Sequence, residues 1–134
     1  MFQKDFLVRE IENFSRFAIG MFRKEKLKYE IQGEQGESIE DDYLFYRFQE
    51  MIYNGKINEA ENALFEIIEK EPKLEYLKLT EKIYSEIIKM SDDYLLKYGY
   101  SREEIFESLD QIQEIYEKKY NDSNNENWKE VGND

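Results

Sequence analysis

"GKINEAENALFEIIEKEP", residues 55–72, holds a turn, an apolar stripe and a stop, and its reading decides the fold. Asn54 and Gly55 end a helix, because glycine adopts the left-handed conformation that closes a helix C-terminus without a Cβ clash. Asn58 is placed to cap the next helix. Ala60, Leu64, Ile67 and Ile68 then recur at three- and four-residue intervals and form one apolar face. Pro72 cannot donate the amide hydrogen that a further turn needs, so the helix stops before it. Only Lys56, Ile57 and Asn58 separate Gly55 from the new helix, and so short a link folds the two helices into an antiparallel hairpin.

The same logic extends in both directions. Leu7, Ile11, Phe14, Ala18 and Met21 mark one face of a long helix over residues 5–31, widened by Phe17 and Phe22. Gly20 interrupts it at a cost of roughly 1 kcal/mol relative to Ala, which predicts a close helix approach or a kink. "QGEQGES", residues 32–38, reads as a loop. Asp41 or Asp42 is the expected cap of the helix carrying Leu44, Phe45, Phe48, Met51 and Ile52. Residues 74–98 keep helical spacing, with a break expected at Ser91, Asp92 and Asp93, where Ser91 or Asp92 caps a short helix ending at Gly99. Ser101 and Glu104 form a capping box ahead of Ile105, Leu109, Ile112 and Tyr116. Residues 121–134 show no periodicity. The expectation is one all-α domain of five or six antiparallel helices over residues 1–120, followed by a disordered acidic tail at 121–134.

Composition agrees. One proline and two valines among 134 residues disfavour a β-fold, and 40% apolar residues suffice for a core. With no cysteine there is neither a disulfide framework nor a thiolate metal site, which suits a reducing cytoplasm. The opening "MFQKDFLVREIENF" lacks the apolar run of a signal peptide, and no segment approaches 18 apolar residues in a row. The net charge of −12 argues against nucleic acid and anionic membrane as partners. That charge is uneven: residues 1–31 carry seven Lys/Arg against five Asp/Glu, a net of +2, which leaves −14 on the remainder. The long first helix, with Phe6, Phe14, Phe17 and Phe22 on more than one side, is therefore a candidate for self-association as a homodimer.

The chain has no His and no Cys, the side chains most used for nucleophilic and acid/base chemistry near neutral pH. No Gly-rich phosphate loop is present, and no catalytic residue, cofactor or metal site is assigned. The clusters "EDD" (40–42), "SDD" (91–93) and "REE" (102–104) fall at expected helix starts, where carboxylates favour the positive end of the helix dipole. "RKEKLK" (23–28) ends a helix, where cations belong. Among Tyr43, Phe45, Tyr46, Phe48 and Tyr53, most are expected in the core, and any left exposed would anchor a peptide. Tyr43, Tyr46, Phe48 and Tyr53 are the candidate partner-binding residues.

Leu44, Met51, Gly55, Ala60, Leu64, Ile67 and Pro72 together resemble one tetratricopeptide repeat, with Phe48 departing from it where a small residue is usual. "GYSREEIFESLDQI", residues 99–112, echoes the turn, start and stripe once one residue is inserted. Residues 1–120, above all "MFQKDFLVREIENFSRFA", resemble a family of small bacterial helical proteins known only as a domain of unknown function. That resemblance implies a helical, repeat-like fold and a cytoplasmic place, and brings no activity or site residues. The expected function is a non-catalytic protein–protein interaction or scaffolding role; the alternative is a carboxylate-dependent metal-binding protein or hydrolase.

Overall fold

The computed structural model describes the backbone of residues 4–29 and 39–132 and the side chains of residues 4–24 and 42–120. Among the described residues there are six helices, α1 (Lys4–Tyr29), α2 (Ile39–Tyr53), α3 (Ile57–Lys70), α4 (Glu75–Ile88), α5 (Asp92–Lys97) and α6 (Arg102–Gly132). No strand occurs among the described residues, and no helix there is long and apolar enough to cross a membrane. The predicted loop at 32–38 lies outside the described residues.

The turns form where the sequence placed them. At Gly55, φ is +80°. The Gly55 amide donates to Ile52 O at 3.2 Å and the Lys56 amide to Met51 O at 2.8 Å, the paired bonds that satisfy a helix's last carbonyls. Gly99, with φ +69°, closes α5 in the same way through Gly99 N to Leu96 O and Tyr100 N to Leu95 O. After α3 the chain turns extended at Glu71, as a residue before proline must. Residues 75–98 are two helices, and Ser91 caps the second by accepting from the Tyr94 amide at 3.1 Å. In the capping box, the Ser101 amide donates to Glu104 Oε2 at 2.8 Å.

Three local expectations need correction. Helix α3 starts at Ile57, so Asn58 lies inside it and no side chain caps it. Burial of Ile57 draws the first turn back by two residues, and the Asn58 amide group donates instead to Tyr98 O and Gly99 O at 3.3 and 3.4 Å. Helix α2 likewise starts at Ile39, which puts Asp41 and Asp42 inside its first turn and not at the cap. Gly20 lies on the exposed side of α1 with nothing within 4 Å of an added Cβ, so no helix makes a close approach there. Helix α6 continues through Gly132, since neither Pro nor Gly interrupts residues 103–131.

Helix α4 is the central element. Lys82 lies 5.5 Å from the Phe45 ring, and Glu86 is bonded by Gln49 and Tyr53, so residue numbers rise together along α2 and α4. Those two helices run in the same direction, and α3 returns antiparallel to both, with Glu61 meeting Tyr84. On the other side, α1 packs on α4 and α6 through Leu7, Phe14, Ala18 and Met21, all buried. The core also holds Ile57, Ala60, Leu64 and Ile68 of α3, with Leu77, Ile83 and Ile87 of α4, each fully buried.

Truncating this core is expected to be costly: Leu64→Ala should lose about 2–5 kcal/mol. Gly55→Ala drives a Cβ into the Tyr98 ring. It should therefore cost more than the roughly 1–2 kcal/mol of a left-handed residue alone. Urea unfolding of both variants checks the pair.

Candidate functional site

Helix α3 brings one charged residue into its buried face. Ile57, Ala60, Glu61, Leu64 and Ile68 share that face, so helical geometry carries the Glu61 carboxylate into the core beside apolar neighbours. There Oε2 accepts from Tyr84 Oη of α4 at 2.7 Å and from Tyr100 Oη, in the α5–α6 turn, at 3.0 Å. It also accepts from Ser108 Oγ of α6. Burial, then the Glu61 charge, pushes the Tyr84 hydroxyl well above its ordinary range. Burial likewise raises Tyr100, aided by Tyr84 and Glu61. Both tyrosines remain protonated donors, and one carboxylate oxygen ties three parts of the chain to α3.

A second carboxylate sits at the α2–α4 seam, close to the surface. Glu86 Oε1 accepts from Tyr53 Oη at 2.7 Å and Gln49 Nε2 at 3.4 Å, while Oε2 accepts from Lys89 Nζ at 2.8 Å. Burial pushes this carboxyl up, but the bonds from Lys89, Tyr53 and Gln49 outweigh it and hold Glu86 below the ordinary carboxylate value. The hydrogen bond to Glu86 raises Tyr53 in turn.

Above that seam α2 presents an aromatic face. Tyr43, Tyr46 and Tyr53 are 60%, 65% and 54% exposed. Their positions, with Arg47 and Glu50, fall on one arc of the helix. Arg47 Nη1 donates to Tyr43 Oη at 3.4 Å, and its guanidinium lies 5.9 Å from the centre of that ring. Phe45 is half-buried beside Tyr46, their ring centres 6.2 Å apart.

Of the candidate partner-binding residues, the structure thus brings Tyr43, Tyr46 and Tyr53 to one surface and removes Phe48. At 4% exposure Phe48 belongs to the core, because it lies on the opposite side of α2. Of the candidate self-association residues, only Phe14 is withdrawn by burial. Phe14, at 2% exposure, is committed to the core, and Phe6 and Phe17 are packed against it, with Phe6 5.8 Å from the Phe106 ring. Phe22 is half-buried.

The acidic clusters at 91–93 and 102–104 do occupy the first turns of α5 and α6. Arg102 adds a clamp: Nε donates to Asp92 Oδ1 at 2.7 Å, Nη2 to Met90 O at 2.7 Å and Nη1 to Ile88 O at 3.3 Å. Three or more His, Cys, Asp or Glu side chains do not converge as a metal-binding group anywhere among the described residues. Glu61, Ser108 and Glu86 escaped the sequence reading, although each falls on an otherwise apolar helical stripe, and that misplacement was the available signal.

Fold and site together define an all-α protein whose helices are tied by a buried carboxylate and which carries an ordered aromatic face. The chain belongs to a family of unknown function, DUF6483, matched by residues 1–117. No curated protein and no solved structure matches the chain significantly.

Two outcomes follow from the carboxylates. Glu61→Ala strands three buried hydroxyls and should cost at least about 2 kcal/mol, whereas Tyr84→Phe removes one donor and should cost about 1 kcal/mol. Unfolding midpoints in urea test that order. For Glu86 the folded value lies below the unfolded one, so its contribution is complete above the unfolded value, about 4.3, and is lost as pH falls through the folded value. Glu86→Gln should flatten the loss of stability with acidification in that window.

Proposed function

We propose that this protein is a non-catalytic interaction module that docks a protein or peptide partner on the exposed aromatic face of α2. The observation that carries the reading is the exposure of Tyr43, Tyr46 and Tyr53 on one arc of a helix whose other side is anchored in the core. Tyrosine and arginine dominate the binding energy of protein interfaces. Two of these tyrosines are already oriented, Tyr43 by Arg47 and Tyr53 by Glu86, so binding immobilises fewer side chains.

On this reading residues 39–70 act as a tetratricopeptide-like hairpin. Support comes from fully buried Ala60 and Leu64, the left-handed turn at Gly55 and the parallel run of α2 and α4. Buried Phe48 takes the place of the usual small residue and widens the α2 contact. A cysteine-free chain suits the reducing cytoplasm, and the opening stretch points to a bacterial one.

The test is affinity capture from the native cell with the wild type and with Tyr43→Ala/Tyr46→Ala. Exposed substitutions of this kind change stability by about 0.5 kcal/mol or less, so the variant should stay folded. Leu96→Ala, a change at a 78% exposed apolar residue on α5, serves as control. The expected outcome is a bound protein lost with the tyrosine variant and kept with the control; an unchanged set of bound proteins overturns the proposal.

A further inference from the structure

Helix α1 carries two apolar stripes, of which one has a place in the core. Leu7, Phe14, Ala18 and Met21 pack on α4 and α6. Val8, Ser15 and Phe22 recur every seven residues on an adjacent line, with Ile19 beside them. Val8 and Ile19 remain 45% and 49% exposed, and neither joins the core cluster or packs on it. These are the large apolar side chains that α1 leaves in water among its described residues.

The charges beside this stripe are ordered along the helix. Asp5 and Glu12 come first and Arg16 and Arg23 follow them, each pair seven residues apart and all four exposed. Such a sequence complements itself only when reversed. Laid antiparallel across a twofold axis, Asp5 faces Arg23 of a second copy and Glu12 faces Arg16 of that copy, and symmetry makes each pair twice. The same register brings Val8 within one position of Ile19 of the second copy, lays Ser15 next to the twofold axis and sets Arg9 against Ile19 of that copy. A parallel pairing would set each of the four charges against its own kind, which is destabilising.

We infer that the exposed edge of α1 binds a second copy of this chain, forming a twofold homodimer through antiparallel α1 helices. Apolar contact at Val8 and Ile19 supplies the affinity, and the charge order sets the direction, because exposed ion pairs add little energy each but discriminate between orientations. So small a contact implies a dissociation constant of about 10 µM. The inference does not rest on the α2 docking face, so Tyr43→Ala/Tyr46→Ala should leave the dimer intact.

Sedimentation equilibrium tests it on the full chain. The wild type should show a monomer–dimer equilibrium in that range, and Ile19→Asp should remain monomeric, with far-UV circular dichroism unchanged because the side chain is exposed. Asp5→Arg/Glu12→Arg and Arg16→Glu/Arg23→Glu should each be monomeric alone and form a heterodimer when mixed, since mixing restores all the opposite-charge pairs. A wild type that stays monomeric at about tenfold that constant, or a mixture that stays monomeric, overturns the inference.

Discussion

The arrangement of the helices depends on one oxygen atom. Glu61 Oε2 receives hydroxyls from Tyr84, Tyr100 and Ser108, which belong to α4, the α5–α6 turn and α6. Taking a carboxylate out of water costs several kcal/mol. Three hydrogen bonds to a charged acceptor return about 1.5–3 kcal/mol each, so the two sides nearly cancel. The net gain in stability is therefore small beside the specificity. A packing of α3, α4 and α6 that misses these contacts leaves buried polar groups without partners.

Around that point the connections leave little freedom. The left-handed glycines at 55 and 99 fix where α2 and α5 stop, and Pro72 fixes where α3 stops. Tyr116 and Tyr120 of α6 then donate to the carbonyls of Lys73 and Pro72, so the α3–α4 turn is held by the last helix. Arg102 does the same beyond the end of α4, donating to the carbonyls of Ile88 and Met90. Each turn that local sequence starts is completed by a side chain from far along the chain.

That division explains what the sequence could show. Gly55, Pro72, Ser91 and the Ser101–Glu104 box act within a few residues, so their spacing alone placed the helix ends correctly. Asn58 looked like a cap by the same rule and is not one, because the carbonyls it satisfies lie some forty residues away. Glu61 was visible as a charge on an apolar stripe. Its donors were not, since Tyr84, Tyr100 and Ser108 stand 23, 39 and 47 residues distant and only the packed fold makes them neighbours. Phe48 and Tyr46 are two residues apart in the chain, and a helix turns one inward and the other outward.

Tyrosine serves both ends of this design, and the acceptor decides which. Tyr84, Tyr100 and Tyr116 can be buried because each hydroxyl finds a carboxylate or a carbonyl inside the fold. Tyr94 does so at the edge of the core, donating to Ile52 O at 2.7 Å. Tyr53 is intermediate: its hydroxyl is engaged by Glu86 while its ring stands in solvent. Tyr43 turns the relation round, accepting from Arg47 while its ring stays largely exposed. The ring contributes apolar area wherever it lies, whereas burying the hydroxyl without a partner would be costly. The core therefore admits only those tyrosines for which the chain has built an acceptor. The remaining tyrosines of α2, Tyr43 and Tyr46, keep their rings on its outer face.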